Sequence, residues 1–238
     1  MTYPIPDSAS DADLIVRMTS FMETQMHAHD PSHNPAHVHR VVALAHRILA
    51  RERTLHPEIP YDQTTVTLAA ILHDINDRKY VPAVISTDAG GADASPVRAA
   101  LLKHGATREV VERVDVITTH VSYSTEKRDP DVVTRLIRDE GYPELAIVQD
   151  ADRLDALGAV GVGRCFTYLG ASTVRDGRRG EGMPGLDDAI EHFHEKLERL
   201  EGMMKTETGR GMARARTERL RVFRGWWEEE MKESACAL

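Results

Sequence analysis

The sequence predicts an all-α protein, and three observations lead to that reading. Apolar residues recur at spacings of three and four along most of the chain, and few segments alternate as half-buried strands do. Three pairs, Asn34-Pro35, Ser95-Pro96 and Asp129-Pro130, place a capping residue before a proline suited to the first helical position. Proline there removes an N–H that would have had no helical partner.

The elements follow in order. Leu14, Met18, Phe21, Met22 and Met26 share one helical face and predict a first helix over 11–28. Asn34-Pro35 opens a second, whose stripe is Val38, Val41, Val42, Ala45, Ile48 and Leu49, and Pro57 and Pro60 end it. Asp62 caps a third, which runs through Val66, Ala69 and Ile71 to the neighbourhood of Asp74. Ser95-Pro96 and Asp129-Pro130 open further helices, and 107–119, 143–169, 186–204 and 208–233 also fit helical spacing. The segments 86–95 and 175–185 are rich in Gly or charge and read as mobile surface loops, the first of them near a cavity mouth. Phe193, Leu197, Leu200, Leu220, Phe223, Trp226 and Trp227 need a surface to pack on, so the last two helices are expected to form a hairpin laid on the bundle. The expectation is one domain over 1–238, with its core at 11–170 and the hairpin at 186–233.

Composition narrows the function classes. A 41% hydrophobic, 29% charged chain has the balance of a globular protein and not of a disordered one. No apolar run approaches the roughly 18 residues of a membrane span. The amino-terminal segment lacks a basic start and an apolar stretch, so no secretory signal is expected. Two cysteines, Cys165 and Cys236, make no disulfide framework, and a cytoplasmic location is the expectation. The net charge of −8 argues against a nucleic-acid polymer as partner. The basic stretches 175–179 and 210–221 do not change this, because the second reads as a solvated helix face.

Chemistry concentrates in three places. In Ile71-Leu72-His73-Asp74 an apolar run delivers an adjacent imidazole and carboxylate at a helix end, donors that suit Mn, Fe, Co, Ni or Zn. Taken alone, the pair could equally be a histidine held by its neighbouring carboxylate. The stretch 33–41 adds histidines in the first turns of the second helix, and 148–155 adds carboxylates on a helix that otherwise reads as buried. Buried carboxylates are costly unless paired or metal-bound. One histidine, a His-Asp pair and a distant aspartate make a four-donor set drawn from separate helices.

These stretches resemble the HD-domain phosphohydrolases, whose hallmark is His … His-Asp … Asp around a divalent metal in a helical bundle. The matching segments are SHNPAHVHRV (32–41), LAAILHDINDRK (68–79), ITTHVSY (117–123), VQDADRLDALGAVGVGR (148–164) and TETGRGMARARTERL (206–220). The chain is similar above all to small stand-alone HD proteins of bacteria and fungi, some of them nucleotide pyrophosphohydrolases. The resemblance implies one divalent ion (Mn, Co, Ni, Fe, Zn or Mg) held by His37, His73, Asp74 and Asp152. The Ala-Asp-x-Leu context selects Asp152 over Asp150, which becomes a supporting or capping residue. It further implies hydrolysis of a small phosphorylated molecule, most naturally a nucleotide, by a metal-activated water.

By the same resemblance Asp77 is expected to handle protons. Related nucleotidases carry a glutamate at its place, and the shorter aspartate reaches less far. Arg40 and Lys79 are expected to meet phosphate oxygens, and His33, His120 and Arg153 to line the substrate site. His104 precedes a glycine and reads as a helix-end residue, while His46, His56, His192 and His194 sit in no motif. Two rival readings exist. In a di-iron oxygenase His104 and His120 would supply further ligands, and a non-catalytic module would bind a nucleotide without turning it over.

Overall fold

The structure is a computed structural model, and it describes residues 9–76, 95–175 and 185–235. Among the described residues there is no strand. The elements are α1 (Ala9–Met26), α2 (Pro35–Leu55), α3 (Gln63–Leu72), α4 (Pro96–Lys103), α5 (Arg108–His120), α6 (Tyr123–Arg128), α7 (Pro130–Arg138), α8 (Pro143–Asp155), α9 (Gly158–Arg175), α10 (Leu186–Glu195), a 3-10 helix (Leu197–Met203) and α11 (Glu207–Ala235). The all-α expectation holds. No helix among the described residues is long and apolar enough to cross a membrane.

The caps act where the sequence places them. Asn34 Oδ1 accepts from the N–H groups of Ala36 and His37 at 3.1 and 3.3 Å, and Pro35 follows it. Asp62 accepts from Thr65 N, Ser95 from Arg98 N and Asp129 from Val132 N. Each cap satisfies an N–H that the first helical turn leaves without a partner.

The helix α3 is the centre of the molecule. Every residue from Thr64 to Leu72 is buried, because its apolar and threonine side chains surround the helix instead of forming one stripe. It packs against α1, α2, α5 and α8, and α2 and α8 also lie against each other. Truncating a core side chain such as Leu68, fully buried, would cost about 2–5 kcal/mol in lost transfer and cavity energy.

Three expectations about elements change. The predicted helix over 143–169 is two helices. Its apolar stripe is continuous, but Gly158 has φ +73°, a left-handed backbone that redirects the chain. A Cβ at Gly161 would lie 2.2 Å from the Ala156 carbonyl oxygen, so α9 leaves the end of α8 too closely for any side chain there. The predicted helix over 186–204 is α-helical only to Glu195 and tightens into the 3-10 segment. The short helix α6, capped by Ser122 on Thr125 N, was not anticipated.

The carboxyl-terminal elements do lie on the bundle. Phe193 and Phe223 stand with ring centroids 6.2 Å from that of Phe166 on α9, and Trp227 at 5.8 Å, whereas Trp226 is exposed. Two buried carboxylates receive the start of α11. Asp150 accepts from Lys205 N, Thr206 N and Thr206 Oγ1 at 2.7–2.8 Å, and Glu52 accepts from Thr208 N at 2.9 Å.

Candidate metal centre

Three separate pieces of backbone bring four donor atoms to one point. His37 is the third residue of α2, His73 and Asp74 follow the last residue of α3, and Asp152 lies near the end of α8. His37 Nε2 is 3.2 Å from His73 Nε2, 3.3 Å from Asp74 Oδ2 and 3.6 Å from Asp152 Oδ1. His73 Nε2 is 3.5 Å from Asp74 Oδ2 and 3.7 Å from Asp152 Oδ1. Both imidazoles are buried, and the two carboxylates are partly open.

The far nitrogen of each ring decides what the near one can do. His37 Nδ1 lies 2.8 Å from Asp155 Oδ2, and His73 Nδ1 lies 2.9 Å from the Ala70 carbonyl oxygen. Both partners only accept, so each Nδ1 carries the hydrogen, and each ring when neutral presents a lone pair at Nε2. Two lone pairs 3.2 Å apart beside two carboxylates repel unless a cation sits among them. Asp74 Oδ2 is also buried with no hydrogen-bond partner. The two-nitrogen, two-oxygen donor set fits a borderline divalent metal. Ligand bonds of about 2.0–2.2 Å to one ion put neighbouring donors roughly 2.8–3.6 Å apart.

The carboxylates draw positive charge to this point, which a proton or a cation can supply. Burial alone would raise the Asp74 carboxyl, but the neighbouring His73 and His37 outweigh it and hold the group well below the ordinary carboxylate range. For His37, burial and Arg164 push down, yet the carboxylates of Asp155 and Asp74 outweigh them and carry it above its usual value. His33 is pushed down to about 4, chiefly by burial, and so stays neutral at physiological pH.

A cavity of about 240 Å³ opens beside Asp152, the one donor residue in its wall, with His33, Arg153, Arg164, Tyr168 and Lys196 around it. The residues expected to meet substrate are placed unequally. His33 lines the cavity, its ring 5.9 Å from that of His37 and its Nδ1 2.7 Å from Ser32 Oγ. Arg153 also lines it, with Nη1 donating to the Met203 carbonyl at 2.8 Å, Nη2 to Glu126, and a buried Nε that has no partner. His120 is not in that wall, and its Nδ1 lies 2.7 Å from the Val116 carbonyl oxygen. Arg40 gives one edge of its guanidinium, Nε and Nη2, to Asp155 at 2.8 and 2.9 Å. Asp150 faces Lys205 and Thr206. Asp77, Lys79 and most of the 86–95 loop lie outside the described residues.

Asp155 and Arg164 were not singled out from the sequence. The available signal was the spacing: a second aspartate three residues after Asp152 on a buried helix needs a partner.

No protein-family model matches the chain. The Bacillus subtilis protein YpgQ is 36% identical over 185 residues, 77% of each chain. The crystal structure of YpgQ in complex with ADP superposes with a TM-score of 0.67 at 30% identity, covering 93% of this chain and 96% of that one. An HD-superfamily hydrolase from Bacillus thuringiensis, 23% identical, shares the fold at a TM-score of 0.61 over 93% of this chain and 98% of that one.

Proposed function

We propose that this chain, which belongs to the family of YpgQ and has the HD-superfamily fold, is a divalent-metal-dependent phosphohydrolase that cleaves a phosphoester or phosphoanhydride bond of a nucleotide. The observation that carries the reading is that the Nε2 atoms of His37 and His73 lie 3.2 Å apart and each within 3.7 Å of an Asp74 and an Asp152 oxygen, beside a cavity walled by arginine and lysine. YpgQ, similar over most of both chains, was crystallised with ADP, which supports a nucleotide as the ligand class here.

In this reading His37, His73, Asp74 and Asp152 hold the ion. A bound divalent cation supplies Lewis acidity, polarising the phosphoryl group and making a water molecule acidic enough to attack. Asp77, four residues after His73, accepts and returns the proton. Lys79, the unpaired Arg153 Nε and Arg164 at the cavity wall offset the charge that accumulates on the phosphoryl oxygens. His33 enters as a neutral ring, able to accept or donate one hydrogen bond to substrate. Arg40 gives Nε and Nη2 to Asp155, which leaves its Nη1 to serve a phosphate oxygen.

The test is a panel of nucleoside mono-, di- and triphosphates and simple phosphoesters with added Mn²⁺, Co²⁺ or Mg²⁺, assayed separately for phosphate and for pyrophosphate. Metal-dependent release from a nucleotide is the expected result. Nucleotide binding without turnover under every metal would point instead to a sensor.

A further inference from the structure

We propose that Asp155 is the positioning residue for His37, and that Arg40 and Arg164 act by holding Asp155; this rests on reading His37 as a metal ligand. An imidazole can bind a cation through Nε2 only while its hydrogen stays on Nδ1. The carboxylate of Asp155, 2.8 Å from Nδ1, enforces that tautomer and fixes the ring plane.

Asp155 is itself 1% exposed, so its charge must be compensated inside the protein. Arg40 provides a fork, with Nε 2.8 Å from Oδ1 and Nη2 2.9 Å from Oδ2. Arg164 Nη1 adds a contact to Oδ2 at 3.2 Å, and its Nε donates at 2.8 Å to the Ser32 carbonyl, just ahead of α2. The carboxylate is thus clamped between α2 and α9 while it faces His37.

The second histidine provides an internal contrast. His73 is oriented by a backbone carbonyl of its own helix, that of Ala70, so no side-chain substitution can release it. The two rings should therefore respond differently to changes at Asp155.

The experiment compares wild type, Asp155→Ala, Asp155→Asn and Arg40→Gln as full chains. Calorimetric Mn²⁺ and Co²⁺ affinity is read beside ¹H–¹⁵N imidazole spectra of the metal-free proteins and thermal melts. Asp155→Ala is expected to weaken metal binding 10- to 100-fold, the usual size for a group that orients a ligand. It should also mix the His37 tautomers while leaving His73 on Nδ1–H. Asp155→Asn keeps an acceptor oxygen and should recover part of the affinity. Arg40→Gln should weaken metal binding, whereas loss of an arginine that only contacts phosphate would raise KM and leave metal affinity unchanged.

Wild-type affinity together with an unchanged His37 tautomer in a folded Asp155 variant would overturn the proposal. If Asp155→Ala does not fold, Asp155→Asn and Arg40→Gln carry the same comparison. A wild type that binds neither ion overturns the proposal along with its premise. Affinity and tautomer are read without turnover, so failure to hydrolyse any nucleotide would sink only the proposed function.

Discussion

Asp152 and Asp155, three residues apart on α8, address opposite edges of one imidazole. Asp152 Oδ1 is 3.6 Å from His37 Nε2, and Asp155 Oδ2 is 2.8 Å from His37 Nδ1. A single helical turn thus supplies one candidate ligand and the group that aims another. Any shift of α8 relative to α2 would disturb both at once.

Metal should stabilise the fold, because the four donors repel one another without a cation. At a free Mn²⁺ concentration 100 times the dissociation constant, the gain is expected to be about 2.7 kcal/mol. Thermal melts with and without Mn²⁺ read it, and a chelator should reverse it. Asp74→Ala should abolish the shift, the bound metal and any turnover together. A normal metal-induced shift in that variant would remove Asp74 from the donor set.

Asp77→Ala is expected to separate proton handling from metal binding. It should retain metal by elemental analysis yet lose turnover by about 10²–10⁴-fold. Near-normal rates in the metal-loaded variant would leave Asp77 without a part in the chemistry.

Glu126 should govern part of the acid limit of stability. It is buried between Arg153 and Lys205, whose Nζ donates to it at 2.5 Å. Burial would raise its carboxyl, but these two cations win and hold it below the ordinary value. A depressed folded pKa gives stability that is present above the unfolded value of about 4.3 and is lost as pH falls through the folded one. Glu126→Gln should therefore be destabilised at pH 7, by about 3 kcal/mol if it behaves as a broken buried pair. Its denaturation midpoint should also fall less steeply below pH 4.5 or so. Parallel acid limbs in urea titrations of the two proteins would contradict this.

Two glycines of α11 should respond oppositely to alanine. At Gly209 a Cβ would lie 2.2 Å from Asp150 Oδ2 and 2.7 Å from Thr206 Oγ1, so Gly209→Ala is expected to cost about 1–3 kcal/mol. At Gly211 a Cβ meets nothing within 4 Å, and Gly211→Ala should be neutral or stabilising by up to about 1 kcal/mol. Denaturant midpoints of the pair provide the check. Equal effects would mean that the Asp150 latch yields freely.

What the sequence made legible was local. Asn34, Asp62, Ser95 and Asp129 could be read as caps because their partners lie two or three residues away. The His-Asp pair and Asp152 could be read because each sits in a short recognisable context. Gly158 was missed because hydrophobic periodicity runs unbroken across it, and one backbone angle makes the break. Arg40 was expected to face phosphate, and one edge of its guanidinium meets a carboxylate 115 residues further along the chain. No spacing rule reports a contact of that range. Asp77 and Lys79 were readable as motif residues and lie outside the described residues.

The latches at the start of α11 bear on the site, although α11 provides none of the four donor atoms. Glu52 and Asp150 belong to the same two helices that present His37 and Asp152. Removing the chain from Lys205 onward would strip both buried carboxylates of their Lys205, Thr206 and Thr208 donors. The carboxyl-terminal helix is thus a keystone, and shortening the protein at that end is expected to loosen the candidate donor set from a distance.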